Sequence, residues 1–233
     1  MNIHYLKALE DNYIWFIQAE NQVLVVDPGE SQPVLDYLKE QELDLAGILL
    51  THNHADHTDG VKAIKDVYPT IPVVGSIETK EWATNVYGEG DRFGLMNLTF
   101  QILKTPGHTN DHIAFLVEGH LFCGDALFAA GCGRVFTGDY QAAYETIQRL
   151  QTLPEATKVY AGHEYTLTNL AFAASLTDNP GPLRQVQDQV KSQLDQGQAS
   201  LPTTIKQERE WNPFMQARTL EEFTRLRQLR DQF

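Results

Sequence analysis

The stretch Ile48-Leu49-Leu50-Thr51-His52-Asn53-His54-Ala55-Asp56-His57-Thr58-Asp59-Gly60 limits what this chain can fold into more than any other. An apolar, β-compatible run ends in three histidines and an aspartate. Such a run reads as a buried strand that delivers its last residues into a loop. Neutral imidazole and carboxylate suit zinc, iron and manganese, and the cluster holds no cysteine to supply a thiolate. His52 and His54 alternate, so an extended segment aims both at one point. Asp56 and His57 follow at once and need the chain to bend. One ion cannot take all four with acceptable angles, so the spacing points to two.

The rest of the composition narrows the setting. A chain of 233 residues, 42% hydrophobic and 21% charged, makes one large domain or a domain with a small partner. No apolar run approaches the ~18 residues of a membrane helix. Met1-Asn2-Ile3-His4-Tyr5 has neither a basic n-region nor an apolar h-region, so a cytoplasmic protein is expected. The 31 acidic residues outweigh 18 basic ones, a net charge of −13 that argues against a nucleic-acid or membrane partner. Cys123 and Cys132 do not make a disulfide framework. Cys123 reads as a small buried apolar residue, while a reactive thiol stays open for Cys132.

In chain order, residues 3–26 read as three short strands. A helix capped by Ser31 runs to about Glu40, and Leu45 to Leu50 is the strand feeding the histidine loop. Val61 to Tyr68 reads as a helix and Ile71 to Val74 as a strand, with residues 84–94 irregular. Strands then recur in one pattern, each ending in a small residue and a His or Asp. Leu98–Leu103 leads to Gly107-His108, Leu121–Cys123 to Gly124-Asp125, and Lys158–Tyr160 to Gly162-His163. Glycine allows close backbone approach at such junctions. Sites gather where the strands of helix-covered sheets end. Asp139 caps a helix to about Leu150. After Thr166 the pattern is helical, Ser200 to Asn212 reads as extended, and Leu220 to Asp231 is a last helix.

The run His52-Asn53-His54-Ala55-Asp56-His57, with His108, Asp125 and His163 downstream, resembles the metallo-β-lactamase superfamily. That resemblance implies an α+β fold, an αββα sandwich of two mixed sheets flanked by helices, over about residues 1–165. It implies one metal site from His52, His54 and His108 and a second from Asp56, His57 and His163, with Asp125 bridging. Two ions ~3.5–4 Å apart can share a water whose pKa falls to about 7, a nucleophile suited to an activated acyl bond. Asp56 and Asp125 are then the catalytic carboxylates, Asp56 orienting the nucleophile.

Further motifs resemble one family within that group, the glyoxalase II or hydroxyacylglutathione hydrolases. They are Gly124-Asp125-Ala126-Leu127-Phe128, Gly131-Cys132-Gly133-Arg134, Gly162-His163-Glu164-Tyr165-Thr166, Asn212-Pro213-Phe214-Met215 and the run Arg227 to Phe233. The resemblance implies a small helical glutathione-binding domain over residues 166–233, with Arg134, Tyr165, Arg227 and Arg230 holding the glutathione moiety. Family members often carry lysine at positions 134 and 230, some carry tyrosine where Phe136 stands, and many carry glycine where Asp111 stands.

The expected function is hydrolysis of S-(2-hydroxyacyl)glutathione, typically S-D-lactoylglutathione, to glutathione and a 2-hydroxy acid, the second step of methylglyoxal detoxification. The expected cofactors are two divalent ions per chain, zinc first, with iron and manganese accepted by the same ligands. The expected partner is the small-molecule thioester alone, and the expected state is a monomer. The runner-up within the fold is a mononuclear-iron persulfide dioxygenase. A nucleic-acid hydrolase fits the acidic balance poorly, and a structural metal module would be closed and four-coordinate. His4, His112 and His120 fall outside the ligand pattern. His120 reads as a solvated turn residue and His112 as a structural histidine. Asp27-Pro28-Gly29 reads as a turn, or as a group that hydrogen-bonds the metal loop from behind.

Overall fold

The structure, a computed structural model, describes residues 1–233 and divides them into two compact units. Residues 1–104 with 111–118 form the first, and residues 105–110 with 119–233 the second.

The first unit opens with β1 (Asn2–Ala8), β2 (Asn12–Ala19) and β3 (Gln22–Val26), an antiparallel meander. Helix α1 (Gln32–Glu40) returns the chain, so β4 (Asp44–Leu49) pairs parallel to β3. Short helices α2 (Ala55–Thr58) and α3 (Val61–Val67) precede β5 (Val73–Gly75), again parallel, and then β6 (Asn85–Val86). The sheet order is β1-β2-β3-β4-β5-β6. The inner strands are apolar and fully buried, as Val23, Leu24, Val25 and Ile48 are, because a helix-covered parallel sheet has no wet face. Val34 and Leu38 turn the apolar stripe of α1 onto them. A second meander follows in β7 (Arg92–Leu95), β8 (Leu98–Lys104) and β9 (Ile113–Val117).

The second unit pairs β10 (His120–Gly124) parallel to a later strand, and between them sit the hairpin β11 (Leu127–Phe128) and β12 (Gly131–Cys132) and helix α4 (Tyr140–Leu150). That later strand is β13 (Lys158–Ala161). Helices α5 (Thr166–Ser175) and α6 (Gly181–Asp195) pack on one another, β14 (Thr203–Thr204) pairs with β13, and α7 (Ile205–Trp211), α8 (Pro213–Gln216) and α9 (Leu220–Gln232) close the chain.

Two expectations are corrected. Residues 84–94 are not wholly irregular, since β6 and the start of β7 lie there. Both are short edge segments with little apolar alternation to betray them. Ser200 to Asn212 is not extended over its length, since α7 occupies most of its second half. The signal was present in Thr204 and Gln207, which form a capping box whose side chains bond reciprocally to each other's backbone.

Candidate metal centre

Strands β3 and β4 end side by side, with Val26 opposite Leu49. The chain leaves β3 at Asp27, whose N–H donates to the Leu49 carbonyl at 2.9 Å. Asp27 holds a left-handed φ of 52°, and its buried carboxylate turns onto the exit of β4. Oδ1 accepts from the Thr51 N–H at 2.8 Å. Oδ2 accepts from the Thr51 hydroxyl at 2.6 Å and from His57 Nδ1 at 3.2 Å.

These bonds orient the histidine rings. A carboxylate oxygen accepts, so in this contact His57 Nδ1 donates and Nε2 is the nitrogen turned away from Asp27. The Thr51 hydroxyl gives its proton to Asp27, so its oxygen accepts from His52 Nδ1 at 3.0 Å. His52 Nε2 is likewise turned away from that contact. His112 is fully buried and stacks on the His52 ring with centroids 4.8 Å apart, which holds that ring's plane.

The bend demanded by Asp56 and His57 is α2, which starts after an extended His54 and carries Asp56 in its first turn. Gly29 lies under this turn, where a Cβ would stand 1.9 Å from the Asp56 carbonyl oxygen. Asn12 Nδ2 donates to Asp56 Oδ2 at 3.0 Å and to its backbone oxygen at 3.2 Å. Asp56 Oδ2 then lies 3.3 Å from His57 Nε2.

In the second unit the Gly162 N–H donates to the Gly124 carbonyl at 2.9 Å, so Asp125 and His163 leave neighbouring strands together. Helix α4 presses on the loop before His108. Gly107 has φ +134°, and a Cβ there would meet Ala143 Cβ at 2.6 Å. His108 Nδ1 donates to the Arg134 carbonyl at 2.9 Å, which leaves the lone pair on Nε2. Asp125 Oδ2 stands 3.4 Å from His108 Nε2 and 3.3 Å from His163 Nε2. The Tyr165 ring lies flat on His163, 4.9 Å between centroids.

The donor set fits a metal. Two ligands about 2.1 Å from one ion at tetrahedral angles stand about 3.4 Å apart. The Nε2–Oδ2 separations of 3.3, 3.4 and 3.3 Å have that length. Each unit thus carries its own part of the donor set, His52, His54, Asp56 and His57 in the first and His108, Asp125 and His163 in the second. Asp27, His52 and His57 form one group whose ligand atoms lie within 4.8 Å of one another. Its carboxylate is already engaged by Thr51 and by the Nδ1 side of His57.

The four side chains expected to hold glutathione differ in exposure. Arg134 is exposed, 5.8 Å over the Phe136 ring and 3.3 Å from Asp231 Oδ1. Arg227 is 5% exposed and turned inward. Its Nη1 donates to the Cys132 carbonyl at 2.6 Å and its Nη2 to Asp231 Oδ1 at 2.9 Å. Arg230 Nε donates to Asn169 Oδ1 at 3.1 Å, and burial followed by the Arg227 charge lowers its pKa. Tyr165 is partly buried beside His163.

Other residues resolve as follows. Phe136 is exposed, its ring tilted 68° to that of His108 with centroids 5.3 Å apart. Asp111 accepts from Lys104 Nζ at 2.7 Å and donates its N–H to Glu78 at 2.9 Å. Cys132 is not an accessible reactive thiol, since it is buried and burial raises its pKa. Cys123 is fully buried and donates to the Leu127 carbonyl. His120 is not a free turn residue, because it starts β10 and its Nδ1 lies 2.8 Å from the Tyr160 hydroxyl. Sequence reading missed Asn12 and Thr51, since one asparagine and one threonine carry no pattern until the strands are paired.

Residues 9–163 match the metallo-beta-lactamase superfamily, and residues 164–233 match the hydroxyacylglutathione hydrolase C-terminus. The hydroxyacylglutathione hydrolase of Haemophilus ducreyi is 47% identical over 100% of both chains. That of Glaesserella parasuis is 46% identical over 98% of this chain and 97% of the relative. Among solved structures, ETHE1 from Myxococcus xanthus superposes with a TM-score of 0.76 at 30% identity, covering 98% of this chain and 90% of that one. The chain belongs to the metallo-β-lactamase superfamily and, within it, to the hydroxyacylglutathione hydrolase family. It has that superfamily's α+β sandwich of mixed sheets and flanking helices, with a helical C-terminal region.

Proposed function

We propose that the protein is a binuclear metal-dependent thiolester hydrolase that cleaves S-(2-hydroxyacyl)glutathione, with S-D-lactoylglutathione as its typical substrate. The observation that carries this reading is the match of residues 164–233 to the hydroxyacylglutathione hydrolase C-terminus beside a complete His/Asp donor set. The same match, with relatives of that name at 42–47% identity, favours the hydrolase over the persulfide dioxygenase.

His52, His54 and His108 would hold one divalent ion and Asp56, His57 and His163 the other, with Asp125 shared. Zinc suits this N/O set, and iron and manganese compete for it. Two such ions, when bound, supply Lewis acidity toward the thioester carbonyl and a water of lowered pKa. The chain's own residues do the rest. Asp27 and the Arg134 carbonyl keep three histidines in the ligand tautomer. Asn12 holds the Asp56 carboxylate, which orients the attacking water by accepting its hydrogen bond. A thiolate leaves without a strong general acid, which is consistent with the absence of any further acid from the assignment. Residues 1–165 are assigned the chemistry, and residues 166–233, together with Arg134 and Tyr165, the glutathione moiety. The reading includes a cytoplasmic monomer with no nucleic-acid or membrane partner; no helix is long and apolar enough to cross a membrane.

The test is hydrolysis of S-D-lactoylglutathione with metal analysis of the same sample. Activity with close to two ions per chain, abolished by chelation, is expected. Full activity with one ion per chain would remove the binuclear reading.

Arg230, with Arg134 and Tyr165, is assigned the glutathione carboxylates, and Arg227 backs them from within. Residues 224–233 contain three arginines and one aspartate in a chain of net charge −13. These contacts are remote from the thioester, so they bind ground and transition states alike and act on KM. Arg230→Ala is expected to raise KM roughly 10-fold at unchanged kcat, as for a charged hydrogen bond. Steady-state kinetics at low and high salt check this, since added salt shrinks the difference.

A further inference from the structure

The turn between β11 and β12 cannot hold itself. It is a two-stranded hairpin of two residues per strand, which is marginal alone. Ala130 sits in it at φ 53°, a left-handed conformation that a residue with a Cβ resists.

Four consecutive residues of this turn are instead gripped by four buried side chains from the helical region. Asn169 Nδ2 donates to the Ala129 carbonyl at 3.0 Å. Ala130 N–H donates to Glu208 Oε2 at 2.9 Å. Asn212 Nδ2 donates to the Gly131 carbonyl at 2.8 Å, and Arg227 Nη1 to the Cys132 carbonyl at 2.6 Å. The four side chains are 4%, 0%, 0% and 5% exposed. They are cross-linked, with Asn212 donating to Glu208 at 3.0 Å and Asn169 accepting from Arg230 at 3.1 Å. The fit is tight at Gly131, where a Cβ would lie 2.4 Å from Asn169 Nδ2. Burial pushes the Glu208 carboxyl up to about 7, against the pull of its three hydrogen bonds.

The next two residues meet the donor set. A Cβ at Gly133 would lie 2.0 Å from the Asp125 carbonyl and 2.9 Å from His108 Nδ1. The Arg134 carbonyl is the acceptor that fixes the His108 tautomer.

We infer that Asn169, Glu208, Asn212 and Arg227 are positioning residues that hold the turn 129–132 in place and, through Gly133 and Arg134, set the orientation of His108. The helical region thereby shapes the metal centre as well as binding substrate. This rests on the assignment of His108 as a ligand made above.

The test uses the full chain loaded with zinc, and measures metal retained against a competing chelator together with kcat and KM. Glu208→Ala and Asn169→Ala are each expected to weaken metal retention about 10-fold or more, the range for partners behind a ligand, and to lower kcat. Glu208→Gln is expected to stay within about twofold of the unsubstituted protein. Its amide oxygen can accept from Ala130 and Asn212 while its NH2 donates to the Thr203 hydroxyl. Should Glu208→Ala not fold, Asn169→Ala and Glu208→Gln decide. Folded variants that retain metal and kcat, with KM alone raised, would overturn the inference. If the unsubstituted protein binds two ions yet leaves S-D-lactoylglutathione intact, the hydrolase reading fails while the retention comparison still tests the clamp.

Discussion

Asp125→Ala is expected to lose bound metal and on the order of 10³-fold or more in kcat, well beyond the 10–100-fold typical of removing a group behind a ligand. The reason is that one carboxylate oxygen faces two histidines. Oδ2 stands 3.4 Å from His108 Nε2 and 3.3 Å from His163 Nε2, in a group only 6% exposed. In the proposed assignment His108 serves the ion of His52 and His54, and His163 the ion of Asp56 and His57. Removing the shared anion leaves both sets short of negative charge in a buried place, where replacement water compensates poorly. His57→Ala touches one set and is expected to cost less, with one ion retained. Metal content per chain and steady-state kinetics on both variants check this. Asp125→Ala protein with two ions and near-normal kcat would remove the shared role.

Asp27→Asn, an exchange of one atom in a residue outside the proposed ligand set, is expected to weaken metal binding 10–100-fold. The carboxylate accepts three hydrogen bonds, from Thr51 N–H, the Thr51 hydroxyl and His57 Nδ1. An amide cannot do this. With its NH2 toward His57, Nδ1 must accept, the ring proton moves to Nε2, and the ligand lone pair is lost. With its NH2 toward Thr51, two buried N–H donors face each other, at about 1–3 kcal/mol. Metal titration against a chelator measures the loss, and excess metal should restore most of the activity. Unchanged affinity would mean that the tautomer is set by some other group.

Much of the metal loop was legible because its signals are local. The alternation of His52 and His54, the bend required at Asp56, and the glycines before Asp125 and His163 depend on residues adjacent in sequence. The strand feeding the loop was equally legible, since a run as apolar as Ile48-Leu49-Leu50 has few other places to go. Helix α4 announced itself through Asp139, whose side chain accepts from the Ala142 N–H as an N-cap should. Where local signals were weak, reading failed. Helix α7 has only Ile205 and Trp211 as apolar residues, too few to mark a helical stripe, and the capping box is what distinguishes it from a loop.

What the sequence determined by itself was the chemistry: which side chains can bind a cation, how closely they recur, and that a family with those motifs builds an α+β sandwich with a helical tail. The tertiary structure decided the hydrogen bonds behind the site and its support. Asp27 reaches Thr51 and His57 across 24 and 30 residues, and the turn at Ala129–Cys132 is held by side chains 40 to 95 residues further on. A single aspartate, asparagine or glutamate has no periodicity and no local partner to give it away. Its role comes into being only when strand pairing and helix packing remove it from water and leave one set of backbone groups within reach, because a buried polar group must then bond to whatever the fold has placed beside it.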